Sequence, residues 1–428
     1  MKLLVRGGRV VDPGTAVDGC RDVLIEDGRI VAVEPRIEAG EALLIDASGL
    51  VVAPGFIDMH VHLREPGQEH KETIETGAWA AAAGGFTSIC AMPNTNPVND
   101  RPEITRLILA RAAGKAVVNV FPIAAMTLGL RGMELVDMAA LAAAGAVAFS
   151  DDGRCLQNAA LMRRAMETAR GLGKPITDHC EDASLAGSGV MHEGPWAARL
   201  GLSGIPAAAE DVMVARDAIL AEALGAPVHI AHLSTAGSVR IVRQAKRRGV
   251  PITAEATPHH LTLTDAALET GDARFKMNPP LRGEEDVAAL LEAVADGTID
   301  VLATDHAPHT TAEKAVGIAA APFGIVGLET AVPLLLDRLV GRNLIGLARF
   351  VALWSTRPAE ILGLRNKGRL SAGADADLTI LDLDRSVVVD SGAFHSKSRN
   401  TPFDGWALRG AAVRTIVGGH PVFPKEQP

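Results

Sequence analysis

Tyrosine is absent from this chain of 428 residues, and aromatic residues make up only 3% of it. Proteins that bind single-stranded nucleic acid stack bases on aromatic side chains, and this chain offers few such platforms. Its formal net charge of −9 also gives no electrostatic attraction to a phosphate backbone. We therefore expect a small-molecule substrate and no nucleic-acid partner.

Cysteine is scarce as well. The four cysteines are Cys20, Cys90, Cys155 and Cys180, and no two of them have the spacing of paired metal ligands. We expect reduced thiols, with neither a disulfide framework nor a zinc knuckle. No apolar run is long enough to span a membrane, and the amino-terminal apolar stretch is too short for a signal peptide. The expected location is the cytoplasm, with no membrane partner.

Hydrophobic residues, by contrast, make up 48% of the chain, so a large core can form. Residues 1–53 and 366–428 are strand-like, and Asp27-Gly28 between two apolar runs predicts a hairpin. We expect these terminal segments to pair into one small β-sandwich. The length also suits a (β/α)₈ barrel of roughly 250 residues joined to a second module.

Strand-like runs alternate with helical stretches between these terminal segments, which predicts parallel strands with right-handed crossovers. About eight such strands are expected, which is the number that closes a barrel. The predicted fold class is α/β, a (β/α)₈ TIM barrel over residues 54–365 with the β-sandwich of residues 1–53 plus 366–428. A doubly wound sheet is the alternative, but no glycine-rich dinucleotide turn follows the first strand. The predicted helices include Asn99 to Ala113, Leu156 to Leu172, Ala208 to Leu224 and Glu284 to Ala295.

Polar residues that bind divalent metals follow most of the predicted strands. His60 and His62 alternate along the first barrel strand, so both imidazoles point to one side. In such barrels the reactive groups lie at the carboxyl ends of the strands. Imidazoles and carboxylates from several strand ends are typical of a two-metal hydrolase, and this donor set suits zinc. The other members of the predicted cluster are Asp152, His179, His232 and Asp305.

Several longer motifs extend this pattern along almost the whole chain. They are Pro54-Gly55-Phe56-Ile57-Asp58-Met59-His60-Val61-His62-Leu63-Arg64-Glu65-Pro66-Gly67, Met92-Pro93-Asn94-Thr95, Phe149-Ser150-Asp151-Asp152-Gly153, Asp178-His179-Cys180-Glu181-Asp182, Ala231-His232-Leu233-Ser234-Thr235, Asn278-Pro279-Pro280-Leu281-Arg282 and Thr304-Asp305-His306-Ala307-Pro308-His309. With these motifs in this order, the chain resembles the amidohydrolase superfamily, specifically bacterial dihydroorotases of class I.

The resemblance implies two Zn²⁺ ions per chain, bridged by a carboxylate and a hydroxide. Hydantoinases and allantoinases use a carboxylated lysine at the end of the fourth strand for this bridge. This chain has no lysine there, and we assign Asp152 as the bridge, with Asp151 as the alternative. One metal is then expected on His60, His62, Asp152 and Asp305, and the other on Asp152, His179 and His232.

The implied reaction is the reversible hydrolysis of (S)-dihydroorotate to N-carbamoyl-L-aspartate in the biosynthesis of UMP, with Asp305 as general acid and base. The substrate carries a carboxylate. Arg64 lies two residues beyond His62 on the same face, and its planar donor fork matches that group. The resemblance adds Asn94 and His309 as companions of Arg64, and Asn278 as a partner of the ureide edge. It also implies backbone contacts near Phe323 and Gly324, on a loop from His309 that closes over substrate.

Two other functions are compatible with parts of this pattern. One is a different cyclic amidase, acting on hydantoins, dihydropyrimidines or allantoin, whose substrates lack the carboxylate that Arg64 and Asn94 are expected to recognise. The other is an inactive scaffold for aspartate transcarbamoylase, which would have lost metal ligands that this chain retains. We expect a homo-oligomer, and an association with aspartate transcarbamoylase is compatible with activity.

Overall fold

The computed structural model of the chain describes residues 1–38 and 40–424. The strands are Lys2–Asp12 (β1), Val17–Glu26 (β2), Arg29–Glu34 (β3), Leu43–Asp46 (β4), Val51–Pro54 (β5), Phe56–Val61 (β6), Phe86–Ala91 (β7), Asn119–Ala124 (β8), Ala148–Phe149 (β9), Ile176–Asp178 (β10), Met191–His192 (β11), Gly204–Ile205 (β12), Val228–Ile230 (β13), Ile252–Ala256 (β14), Val301–Leu302 (β15), Leu378–Val388 (β16), Ala407–Val417 (β17) and His420–Phe423 (β18).

Helices lie mostly between the barrel strands. The α-helices are Ile74–Gly84 (α1), Pro102–Lys115 (α2), Met138–Ala144 (α3), Ala159–Gly171 (α4), Ala183–Ala186 (α5), Pro195–Leu200 (α6), Ala208–Leu224 (α7), Ala236–Arg247 (α8), Glu284–Asp296 (α9), Thr311–Lys314 (α10), Ala331–Leu335 (α11), Leu347–Trp354 (α12) and Thr356–Leu362 (α13). Short 3₁₀ turns cover Leu128–Leu130, Asp265–Leu268, Ala273–Phe275 and Ser391–Ala393, and a π-helical turn covers Leu336–Val340.

Eight parallel strands form the barrel, which confirms the predicted fold class. They run in the order β6, β7, β8, β9, β10, β13, β14, β15. The first strand then meets the residues after the last one, because Val61 pairs with His306 and the His62 backbone N–H donates to the His306 carbonyl oxygen at 2.8 Å. Because the barrel closes in this way, the carboxyl end of β6, with His60 and His62, lies beside Asp305.

Amphipathic helices such as α4 cover the barrel with one apolar face. In α4, Leu161, Met162, Ala165, Met166 and Ala169 are buried, which is the spacing of one helical face. Glycines in the left-handed region end several of these helices, as Gly85 (φ 94°) does after α1 and Gly225 (φ 59°) after α7. These sharp endings return the chain to the barrel, so that every strand ends at the same rim.

The terminal strands form a mixed sheet outside the barrel, in the order β18, β17, β16, β5, β1, β2, β3, with β4 paired to β1. They enclose their own apolar core, which includes Leu3, Val23, Ile25, Ile380 and Ile416. The predicted Asp27-Gly28 turn joins β2 to β3. The exact boundaries, residues 1–53 plus 366–428 against 54–365, stay our proposal. Within the described part of the chain, no helix has the length and apolarity needed to cross a membrane.

Candidate metal centre and substrate cavity

His60 and His62 turn the same ring nitrogen toward two carboxylates. The Nε2 atom of His60 lies 3.4 Å from Asp152 Oδ1 and 3.5 Å from Asp305 Oδ1. That of His62 lies 3.1 Å from Asp305 Oδ1 and 3.5 Å from Asp152 Oδ2. On the other side of each ring, Nδ1 donates to Glu255 at 2.8 Å in His60 and to Asn94 at 2.9 Å in His62. Both Nε2 atoms therefore face the carboxylates, in the position from which a neutral imidazole would bind a metal ion.

A second group of ligand atoms shares Asp152 with the first. His179 Nδ1 and His232 Nε2 are 2.9 Å apart, and they lie 3.8 and 3.7 Å from Asp152 Oδ1. Burial and the neighbouring His232 lower the pKa of His179, so its ring is neutral and offers a lone pair. Asp152 thus lies between two sets of imidazoles, which is the arrangement of a carboxylate that touches two cations.

The buried histidines and carboxylates of the cluster shift one another's pKa values in the directions expected at a site that attracts cations. Burial alone would lower the pKa of His60, yet Asp152 and Glu255 raise it well above its usual value. Burial would likewise raise the pKa of Asp305, but the hydrogen bond from His62 and the charge of His60 bring it below the usual range. His60 Nε2 is buried and has no hydrogen-bond partner among the residues that the structure describes. Imidazole and carboxylate donors of this kind fit zinc or a similar divalent ion.

Of the two neighbouring aspartates after β9, the structure brings Asp152 to the histidines. Asp151 is instead bonded to the loop after β8: its Oδ1 accepts from the Met126 and Thr127 backbone N–H groups at 2.7 and 3.0 Å. The Thr127 hydroxyl donates to its other oxygen. The geometry therefore supports Asp152 rather than Asp151 in the bridging position.

Two buried carboxylates beside the cluster were missed by the sequence analysis. Glu255, near the end of β14, accepts from His60 Nδ1, from His229 Nε2 at 3.1 Å and from the His232 backbone N–H at 3.2 Å. Asp58, on β6, accepts from the Thr304 hydroxyl at 2.5 Å and the His60 backbone N–H at 3.1 Å. The available signal was an acidic residue inside an otherwise apolar strand, which needs a buried partner.

A cavity of about 210 Å³ opens beside the metal ligands. It collects every residue predicted to contact substrate, together with most of the predicted metal ligands. The residues that line it are His62, Arg64, Asn94, Asp152, Gly153, His179, His232, Asn278, Asp305, Ala307, His309, Phe323 and Gly324.

Arg64 and His309 form the polar side of this cavity. Arg64 is 8% exposed, and burial lowers its pKa to about 10, so it remains a cation at neutral pH. Its Nε donates to the Pro308 carbonyl oxygen at 3.2 Å, and its Nη2 lies 3.3 Å from His309 Nε2. His309 Nε2 is 2.8 Å from the Phe323 carbonyl oxygen, so this nitrogen carries the proton. Burial, Arg64 and Lys71 lower the pKa of His309 to about 3, which keeps the ring neutral.

The two asparagines of the cavity have different environments. Asn278 donates to Glu181 Oε2 at 2.9 Å, while its Oδ1 is buried without a hydrogen-bond partner among the described residues. That oxygen is free to accept from an N–H group of a ligand. Asn94 Oδ1 already accepts from His62, and its Nδ2 lies 3.5 Å from Asp152 Oδ2. Asn94 therefore orients His62, a predicted metal ligand, in addition to lining the cavity.

Three residues of the site have backbone angles that side chains other than glycine rarely adopt. Arg64 has φ 60°, His232 φ 30° and Asp305 φ 47°. Such conformations cost of order 1–3 kcal/mol each and occur most often at functional sites. Each of the three follows the end of a barrel strand, where the left-handed turn sends the side chain toward the cavity instead of along the strand.

The chain is similar over almost its whole length to proteins of known family. A family model described as Dihydro-orotase-like matches residues 49–238. The chain is 53% identical over 428 residues to a protein named Dihydroorotase from Anaeromyxobacter dehalogenans strain 2CP-1, covering 99% of this chain and 98% of that protein. It is 55% identical over 423 residues to a protein of the same name from Pelotomaculum thermopropionicum, again covering 99% of this chain and 98% of that one.

Solved structures with the same fold include enzymes named for a different substrate. The L-hydantoinase (dihydropyrimidinase) from Arthrobacter aurescens aligns with a TM-score of 0.90 at 28% identity, over 99% of this chain and 96% of that one. The D-hydantoinase (dihydropyrimidinase) from Thermus sp. aligns with a TM-score of 0.84 at 29% identity, over 98% of this chain and 94% of that one.

Proposed function

The chain belongs to the dihydroorotase family, and we propose that it catalyses the reversible hydrolysis of (S)-dihydroorotate to N-carbamoyl-L-aspartate in pyrimidine biosynthesis. The observation that carries this proposal is a buried arginine, Arg64, in the cavity beside two overlapping groups of side chains that could hold a metal ion, His60/His62/Asp305 and His60/Asp152/His232. A cyclic amide that also bears a carboxylate satisfies both parts of such a cavity.

We infer two divalent ions per chain, with zinc as the expected metal. His60, His62, Asp152 and Asp305 would hold one ion, and Asp152, His179 and His232 the other. When bound, such ions polarise a carbonyl oxygen and make water a competent nucleophile at neutral pH. The imidazole–carboxylate distances of 3.1 to 3.8 Å within these sets support this assignment.

Arg64 is proposed to bind the substrate carboxylate through its donor fork, with Asn94 and His309 beside it. His309 enters as a neutral ring, and its Nε2–H group, which donates to the Phe323 carbonyl oxygen in the free protein, would turn to the substrate carboxylate on binding. The unpartnered Oδ1 of Asn278 accepts a ring N–H of the ureide edge. Backbone groups of Phe323 and Gly324 complete the wall around the ring.

Asp305 is proposed to take the proton of the attacking water and to deliver it to the leaving ring nitrogen. Its carboxylate lies within hydrogen-bond distance of His62 and borders the cavity, so it can reach both positions. In the ring-closing direction the same group must begin protonated. Ring opening creates a second carboxylate and releases a proton at neutral pH, so lower pH favours ring closure.

A second candidate function is hydrolysis of another cyclic amide, which the structural likeness to hydantoinases at 28% identity keeps open. Hydantoin and dihydrouracil have no carboxylate, so binding them would leave the Arg64 cation buried without an anionic partner. An inactive scaffold is the third candidate, and it is disfavoured because all six proposed ligand positions hold metal-binding side chains. A homo-oligomer, an association with aspartate transcarbamoylase and a cytoplasmic location stay predictions.

Hydrolysis of L-dihydroorotate by the purified protein tests the proposal. Loss of the ring's ultraviolet absorbance is followed, with hydantoin and dihydrouracil alongside and a chelator-treated sample as control. Turnover of dihydroorotate alone, lost with chelator and restored by zinc, is the expected result. Turnover of the uncharged rings would move the assignment to a broader cyclic amidase. If the metal-loaded protein hydrolyses none of the three compounds, the result would contradict enzymatic activity and favour the scaffold function.

A further inference from the structure

Part of the carboxyl-terminal unit lies on the barrel rather than in the β-sandwich. Residues 389–404, which we name the C-terminal arm, make up most of the connection from β16 to β17. Near the middle of the arm, the Ser398 hydroxyl donates to the Lys71 carbonyl oxygen at 2.9 Å. The Lys397 backbone N–H and the Ser396 hydroxyl both donate to the buried carboxylate of Glu72. The arm is therefore bonded to the loop that follows β6, which carries Arg64.

Asn400 connects the arm to the opposite wall of the cavity. Its side chain is buried, and its Nδ2 donates to the Gly324 carbonyl oxygen at 3.1 Å and lies 3.4 Å from that of Ala307. Its Oδ1 accepts from the His309 backbone N–H at 3.3 Å. One amide group thus bonds both ends of the loop over residues 307–324, which we name the β15 loop.

Lys314 bonds the same loop from inside. Its buried ammonium donates to the carbonyl oxygens of Pro322 and Gly324 at 2.9 Å each, and to that of Lys276 at 3.1 Å. Burial and the charge of Lys276 lower the pKa of Lys314 to about 7, and in its ammonium form all three N–H donors are used by these carbonyl oxygens. The Gly324 backbone N–H also donates to the Lys276 carbonyl oxygen at 3.0 Å. These bonds fix the far end of the loop against the segment that leads to Asn278.

Apolar packing contributes little to the shape of this loop. Between residues 311 and 320 most side chains are exposed, and Ile318 is the only buried apolar one in that stretch. A segment with few buried apolar contacts opens at low free-energy cost unless hydrogen bonds hold it. At Gly324, with φ 129°, a Cβ atom would lie 2.8 Å from the Ala307 carbonyl oxygen, so the two ends of the loop meet closely there.

We propose that Asn400 and Lys314 are positioning residues for substrate binding, because together they hold the β15 loop in the shape that presents His309, Phe323 and Gly324 to the cavity. Neither side chain lines the cavity itself. The substrate named here rests on the proposed function, whereas the restraint on the loop can be measured without turnover. The carboxyl-terminal unit thereby takes part in building the substrate site.

Hydrogen–deuterium exchange of the metal-loaded, full-length protein measures the restraint directly. We expect amides of residues 309–324 to exchange about tenfold faster or more in Asn400→Ala and in Lys314→Met, since each substitution removes several bonds to the loop. Asn119→Ala and Lys367→Met are matched controls, because Asn119 donates to the Thr87 backbone and Lys367 pairs with Asp377, both away from the β15 loop. Exchange rates at 309–324 that match these controls would overturn the proposal.

Kinetics separate a positioning role from general destabilisation. In Asn400→Ala and Lys314→Met, we expect kcat/KM for dihydroorotate to fall roughly 100-fold, mainly through KM, because displaced contact groups bind the substrate poorly. Metal content should stay at the wild-type value, and Lys314→Arg should restore most of the loss because it keeps a cationic donor. If Asn400→Ala does not fold, the Lys314→Met and Lys314→Arg pair decides the proposal.

The other outcomes of the exchange and kinetic experiments also decide the proposal. Faster loop exchange with unchanged KM for dihydroorotate overturns the positioning role. Loss of metal in Asn400→Ala or Lys314→Met also overturns it, since the effect then comes from the metal centre. If the wild-type protein does not hydrolyse dihydroorotate, the proposed function fails, and the exchange measurement still decides whether these two residues hold the loop.

Discussion

Replacing Arg64 with Met tests how the cavity recognises its substrate. The substitution keeps an unbranched side chain of similar length and removes the cation and its donor fork. In the free protein, the guanidinium contacts the Pro308 carbonyl and the edge of His309, and it remains charged although it is buried. A charge held in this way before substrate arrives is already desolvated, so binding of a carboxylate costs little further desolvation of the protein.

The expected magnitude follows from that burial. Truncating one partner of a buried, hydrogen-bonded charge pair costs about 2–5 kcal/mol. A central figure of about 3 kcal/mol corresponds to a rise in KM for dihydroorotate of roughly 150-fold, since each 1.4 kcal/mol is a factor of about ten. The KM of Arg64→Lys should lie between those of the wild-type protein and Arg64→Met, because lysine retains the charge without the planar fork. Metal content should not change, since the guanidinium contributes no ligand.

A ligand without the carboxylate supplies the internal control. Dihydrouracil binding is measured as competitive inhibition in wild-type and Arg64→Met protein, beside the kinetics with dihydroorotate. We expect the substitution to weaken the binding of dihydroorotate strongly and the binding of dihydrouracil little. Equal losses for both ligands would mean that the substitution damages the cavity generally, for example through the freed Pro308 carbonyl. That result, or an unchanged KM for dihydroorotate, would refute the carboxylate assignment.

Three other predictions concern the same site. Asp152→Ala should lose at least one metal ion per chain by elemental analysis, and unchanged metal content and turnover would contradict its bridging position. Glu255→Gln should weaken metal affinity about 10- to 100-fold in chelator competition, since the carboxylate orients His60; Glu222→Gln, a surface substitution, is the control. Because the pKa of His309 is lowered to about 3, its ring is neutral above that value, and KM should not change through its titration between pH 5 and 8. A KM that falls on acidification with a midpoint near 6.5, absent in His309→Asn, would show a cationic His309.

Most of the barrel was predictable because each of its units carries a local signal. All eight strand-like runs became barrel strands, and the helix predicted over Ala208 to Leu224 has the same bounds in the structure. The helix predicted from Asn99 begins instead at Pro102. Proline suits the first helical turn, where its missing N–H would have no partner, and the preceding Arg101 is extended. The prediction followed the periodic pattern and gave this start signal too little weight.

The clustering of the strand-end histidines and aspartates was predictable for a different reason. Parallel strands in a closed barrel bring their carboxyl ends to one rim, so residues far apart in sequence become neighbours once the fold is known. Glu255 had only the signal of an acidic residue inside a strand, and Asn400 and Lys314 had no comparable signal. Their partners are backbone groups or rings on distant segments, and a pattern of residue types does not specify which backbone carbonyl a buried amide or ammonium will meet. Their contacts follow from the tertiary packing of loops.

The same contrast between strand-end residues and loop contacts explains why the fold of this chain does not by itself identify its substrate. A TM-score of 0.90 to a hydantoinase at 28% identity means that the barrel geometry survives extensive sequence change. Such a scaffold supports several chemistries, and the substrate is selected by a few side chains at its rim. In this chain the proposed selective group is a buried cation, Arg64, beside a loop that accepts hydrogen bonds from Asn400 and Lys314. If that loop were free, His309 and the Gly324 backbone would be ordered only on binding, and the entropy cost would weaken substrate affinity. Discrimination between charged and uncharged rings should therefore depend on residues that never touch the substrate as well as on Arg64.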